Sequence, residues 1–88
     1  MKIYTLTEEY CFDGEVTFEV IESHKSEEKA IKAMKLLHES NMNLPHWSAF
    51  DKDGDVYTEE TDNSIYVLNE ADSEYYYLLK VERTILHD

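Results

Sequence analysis

Over Glu15 to Glu22 the chain alternates: Val16, Phe18 and Val20 fall on one side, Thr17 and Glu19 on the other. A period of two predicts a strand with one buried face, formed by the three apolar residues. The preceding segment, "MKIYTLTEEY", is rich in β-favouring residues and predicts a second strand. Asp13-Gly14 between them predicts a two-residue hairpin, because glycine accepts the positive φ that a type I′ turn needs. The period then changes. Within "SHKSEEKAIKAMKLLHESN", Ala30, Ile31, Ala33, Met34 and Leu37 share one helical arc. Lys29, Lys32, Lys35 and Glu39 take the other, Leu36 lies just off the apolar arc, and His38 sits at its margin. Ser26 is placed to cap the helix, and Glu27 and Glu28 suit the positive end of its dipole. Asn41 suits a left-handed terminal position and Pro45 bars continuation, so the helix is predicted over about 27–40.

Beyond the helix, "PHWSAF" and "VYTEET" flank Asp53-Gly54 and predict a second hairpin. "SIYVLN" and "EYYYLLKVERTIL" predict a third strand pair, the last strand long. The predicted order is β-β-α-β-β-β-β. This is an α+β fold: a mostly antiparallel sheet with one amphipathic helix packed on one face, forming a single domain over 1–88.

Such an arrangement leaves one face of the sheet uncovered. In the last strand Tyr75, Tyr77, Leu79, Val81 and Ile85 alternate to one side, and Tyr76 and Leu78 to the other. The first strand likewise separates Ile3 from Tyr4 and Leu6. Tyr66, Leu68, Tyr76 and Leu78 are therefore the candidate interface residues, for a second copy or an unidentified protein partner. Tyrosine suits that role, having a large apolar body and a hydroxyl that tolerates water. The competing expectation is that a loop such as "NMNLPHW" folds over this face.

Charge narrows the partners. The 88 residues carry a formal net charge of −12, which disfavours direct binding to nucleic acid or to an anionic membrane. Lys25, Lys29, Lys32 and Lys35 are half of the 8 basic residues, and Asp51 to Asp62 holds six acids against Lys52. An acidic chain of this kind admits an alternative function: imitating nucleic-acid charge and blocking a basic groove of a partner protein. No apolar run suggests a signal peptide or a membrane span, and a lone cysteine excludes an internal disulfide. A cytoplasmic location is expected.

Candidate chemistry is sparse. "DKDGDV" places Asp51, Asp53 and Asp55 at positions 1, 3 and 5 of a calcium loop, making them a weak metal candidate. Val56 falls where such a loop needs a glycine, Asp62 replaces the terminal glutamate, and neither flank is helical in pattern; a hairpin tip is the simpler expectation. Cys11 has no cationic neighbour to activate it, and His24, His38, His46 and His87 lack ligand spacing. The pairs Glu8-Glu9, Glu27-Glu28 and Glu59-Glu60 are expected to be solvated. No cofactor is implied. The expectation is a non-catalytic protein that acts through protein–protein contacts, including homodimerisation.

The opening "MKIYTLTEEY…DGEVTFEVIESHKSEEKAIKAM" resembles a loose class of small uncharacterised bacterial and phage proteins. These begin with a Met-Lys-Ile/Val-Tyr strand and enter a helix through a Ser-x-Glu-Lys-Ala signature, here Ser26, Glu28, Lys29 and Ala30. The resemblance covers mainly residues 1–40. It implies an α+β fold and carries over no activity and no site residues.

Overall fold

The computed structural model describes residues 1–86. The elements are β1 (Lys2–Phe12), β2 (Glu15–His24), α1 (Glu27–Met42), α2 (Pro45–Lys52), β3 (Val56–Glu60), β4 (Ser64–Asn69) and β5 (Tyr76–Ile85). The strands form one antiparallel sheet in the order β2-β1-β5-β4-β3. The α+β class and the packing of α1 on one side of the sheet are as the pattern predicts. The element order differs at one place: "PHWSAF" is helix, not strand.

The first hairpin turns at Asp13 and Gly14, both at positive φ (53° and 82°), as a type I′ turn requires. The ladder slips between Leu6 and Thr7, where Ile21 is the extra residue of a β-bulge. α1 is capped by the Ser26 side chain, which accepts from the Lys29 N–H. The helix runs past the predicted end. Asn41 is helical and buried rather than left-handed, and its Nδ2 donates to Glu8 at 2.9 Å. That bond to β1 favours continuing the helix by about half a turn.

α2 exists because of how its ends are built. Leu44 is extended, as a residue before proline must be, and Pro45 occupies the first helical turn, where a missing N–H costs nothing. At the other end Asp53 is the cap and Gly54 takes φ 77°. The Gly54 N–H then reaches the Asp51 carbonyl, and the Asp55 N–H the Phe50 carbonyl at 2.9 Å. This is the Schellman arrangement, which serves the orphan carbonyls of the last turn. Asp53-Gly54 is thus a helix stop, which corrects the expected hairpin tip. The chain reverses instead at Asp62-Asn63, closed by Thr61 N–H to the Ser64 carbonyl.

Both helices lie on the same side of the sheet. Leu6, Ile65, Val67, Tyr77, Leu79 and Val81 from the strands meet Ala30, Met34 and Trp47 from the helices, all buried. Trp47 is the bulkiest of these. It stands edge-on to Tyr77 at 5.1 Å and donates through Nε1 to the Tyr10 hydroxyl. Tyr10 stacks on Tyr77 at 5.7 Å, and the Tyr77 hydroxyl meets His38 Nδ1 at 2.8 Å. The segment "NMNLPHW" therefore closes the helix side and does not fold over the other.

Candidate interaction face

Residues directly opposite in an antiparallel ladder share a face, so the register lays out the side of the sheet away from the helices rung by rung. One rung runs Val16, Cys11, Tyr76, Leu68, Tyr57 across all five strands. The next runs Phe18, Glu9, Leu78, Tyr66, Glu59. A third runs Val20, Thr7, Lys80, Ser64. The four predicted interface residues, Tyr66, Leu68, Tyr76 and Leu78, are the centre of the first two rungs, and each is half-buried by its neighbours.

Val16, Phe18 and Val20 belong to this same side. They were expected to be a buried face; instead Phe18 is 65% exposed and Val20 63%. The physical reason is position in the sheet. β2 is an edge strand, the helices cover the opposite side, and alternation shows which residues share a side but not which side is covered. Tyr4 and Leu6 face the helices, with Tyr10. The result is an apolar band that continues from Val16 and Phe18 to Tyr57. Five strands about 4.8 Å apart set its outer strands about 19 Å apart, and three rungs give a footprint on the order of 400 Å², which takes in the polar Glu9, Glu59, Thr7, Lys80 and Ser64. The largest apolar patch on a free chain is commonly about 300–600 Å² and often functional, and this band falls within that range.

Polar groups on this side are tied to the tyrosines. The Tyr76 hydroxyl donates to Glu9 Oε2 at 2.8 Å, and that bond, with partial burial and the carboxylate charge, pushes the Tyr76 pKa up to about 12. Tyr66 and Tyr76 lie 6.1 Å apart with tilted rings. Tyr57 donates to Glu59 Oε2 at 3.1 Å, a bond that raises its pKa. Lys80, in the third rung, pairs with Glu82 at 3.4 Å. Glu8 and Glu9, expected to be solvated, are instead both hydrogen-bonded, Glu8 to Asn41 on the helix side and Glu9 to Tyr76 on the open side.

The other candidates are placed as follows. Cys11 is buried, with Sγ 3.2 Å from the Glu74 carbonyl that accepts from it. It points to the open side, whereas His24 and His38 lie on the helix side, so these are not brought together. His87 lies outside the described residues. Asp51 is in the last turn of α2, Asp53 is its cap, and Asp55 follows Gly54. Among the described residues no group of three His, Cys, Asp or Glu side chains could hold a metal ion. A surface hollow of about 270 Å³ between Tyr4, Glu27, Asp62, Asn63, Val81 and Arg83 brings together no set of groups with evident chemistry. No helix among the described residues is long and apolar enough to cross a membrane.

The sequence did not reveal the part played by β2. The hairpin signal at Asp13-Gly14 paired β2 with β1, but the pairing of β1 with β5, which makes β2 an edge, is a contact between the two ends of the chain. Comparison with protein-family models, with curated proteins and with solved structures found no match, so the band and its chemistry are what bear on function.

Proposed function

We propose that the chain is a non-catalytic protein that acts through protein–protein contacts made by the open side of its sheet. The observation that carries this reading is the band itself. Tyr57, Tyr66, Leu68, Tyr76 and Leu78 continue into the exposed Val16, Phe18 and Val20, while both helices are on the other side. Water contact with so much contiguous apolar surface is unfavourable, and a partner that covers it gains that free energy. Aromatic rings with hydroxyls held by carboxylates suit a surface that must be wet when free and dry when bound. The acids on the band are Glu9 and Glu59; both keep their charge while accepting from Tyr76 and Tyr57, but two carboxylates across three rungs are too few to imitate a row of phosphates. That favours an apolar protein surface over the basic groove that a nucleic-acid mimic would block.

A photo-crosslinking amino acid at Tyr66, compared with one at Lys32 on the outer side of α1, tests the reading in the native host. A discrete adduct from position 66, lost on Leu78→Lys, is expected. Adducts from position 32 with none from position 66 would refute it.

A further inference from the structure

We infer that β2 pairs with β2 of a second copy of this chain, in antiparallel register about Phe18, joining two sheets into one of ten strands. This goes beyond the contact reading above, since the edge could pair even if the open side bound nothing.

The backbone geometry comes first. In a two-residue hairpin the residues that close the turn form a hydrogen-bonded pair, and such pairs then alternate along the ladder. Here Phe12 and Glu15 close the turn, so Tyr10 with Thr17 is hydrogen-bonded, whereas Cys11 with Val16, Glu9 with Phe18 and Thr7 with Val20 are not. The N–H and C=O groups of Val16, Phe18 and Val20 therefore point away from β1, outward from the sheet. No other described strand borders β2 on that side, and Glu15 to Ser23 are all exposed. Two usual protections of such an edge, proline and lysine, are absent over this run; the charges it carries, Glu15 and Glu19, lie on the helix side. The bulge at Ile21 ends the regular stretch rather than interrupting it.

The strand is also self-complementary. A two-fold pairing must set outward residues against outward residues, so its centre is limited to a few registers. About Phe18, Phe18 faces Phe18 of the partner subunit, Val16 faces the partner's Val20, and Thr17 faces the partner's Glu19. Glu15 then faces the partner's Ile21, and no acid opposes an acid. A register centred on Thr17 sets Glu15 against Glu19 of the partner subunit. One centred on Glu19 sets Glu19 against its own counterpart. Like charges directly opposite are destabilising, and a chain of charge −12 has little to offset them. The Phe18 register thus combines outward backbone groups, matched apolar side chains and the longest overlap of the regular Glu15–Val20 run that sets no acid against an acid.

The pairing has a consequence for the open side. Val16, Phe18 and Val20 meet their counterparts on the same side of the extended sheet, so two bands of about 400 Å² become one of about 800 Å². The joined footprint is of the order of the area each partner contributes to a standard protein–protein interface. The pairing on its own engages only about six residues per chain, so its strength is expected to depend on protein concentration. It is also expected to increase with salt, which screens Glu15, Glu19 and Glu22 along the joined edges.

The test follows amide hydrogen exchange by NMR, with sedimentation, from micromolar to near-millimolar protein. At high concentration a dimer is expected, with the Val16, Phe18 and Val20 amides slowed at least tenfold. Phe18→Pro removes an outward N–H without touching the β1 ladder, and is expected to return the chain to a monomer. Phe18→Thr retains the N–H, and should weaken the dimer less. A monomer at every concentration and salt level would overturn the proposal. So would a dimer that survives Phe18→Pro but is lost on Leu78→Lys, because the copies would then meet through the open faces, leaving the contact reading intact. Protection of these amides only when a different protein is added would also overturn it.

Discussion

Replacing Trp47 with phenylalanine probes the element that the residue pattern misread. Trp47 is fully buried, stands edge-on to Tyr77 and Tyr10, and donates to the Tyr10 hydroxyl. Phenylalanine retains part of the ring contact but loses the N–H and about one fused ring of volume. The lost hydrogen bond costs roughly 0.5–1.5 kcal/mol. The missing ring atoms leave a void beneath α2, and by analogy with other large-to-small core changes this adds about 1–2 kcal/mol. The sum, about 1.5–3.5 kcal/mol, is a large fraction of the total for a chain of this length, roughly 4–13 kcal/mol. The melting temperature should then fall by about 6–28 °C. Urea unfolding followed by circular dichroism measures the loss, since the only tryptophan is removed. A cycle with Tyr10→Phe isolates the pair and should give a coupling of about 0.5–1.5 kcal/mol. A cost below about 0.5 kcal/mol, or emission typical of a water-exposed indole in the native chain, would show that α2 does not seat Trp47 in the core.

Other perturbations have signs that follow from the same contacts. Gly54→Ala places a side chain at φ 77° where nothing lies within 4 Å, so its cost is backbone strain alone, about 1–2 kcal/mol by urea unfolding. Ser26→Ala removes the cap of α1 and should cost about 1 kcal/mol, while Ser26→Asp should retain the stability. Tyr76, Tyr77 and Tyr10 have pKa values raised above the ordinary 10.0, Tyr76 chiefly by its bond to Glu9 and the other two chiefly by burial. The folded state therefore holds these protons more tightly than the unfolded state. Stability should be intact below pH 10.0 and lost as pH rises through the folded values, about 12 for Tyr76. Denaturant midpoints that stay flat across that range would contradict this. Glu9→Gln should move the Tyr76 transition, read by ultraviolet titration, back toward the ordinary value.

Much of the fold was legible because strong local signals agree with the tertiary contacts. Asp13-Gly14, the arc of Ala30 and Met34, the Ser26 cap, and the alternation of Tyr77, Leu79 and Val81 each acted as their patterns indicate. The error at "PHWSAF" came from treating Pro45 only as a stop. Pro45 at the start and Gly54 past the end are the usual flanks of a short helix, and that pair of signals was in the sequence. Asp53-Gly54 is equally suited to a hairpin and to a helix stop, since both need positive φ at glycine, and only the packing of Trp47 decides between them. Tyr66, Leu68, Tyr76 and Leu78 were separable from the core by alternation alone. That Val16, Phe18 and Val20 extend their band was not, because it depends on β1 pairing with β5, a long-range contact that no local pattern encodes.

Both helices lie on one side of the sheet and leave the other open for contact. A soluble paramagnet added to dilute monomer, with methyl and aromatic signals read by NMR, tests this most directly. Strong broadening of Val16, Phe18, Val20, Leu68 and Leu78 is predicted, with Leu6, Ile65, Val67 and Leu79 untouched. Equal protection of the two sets would mean that the open side is sealed within the chain and would contradict the account.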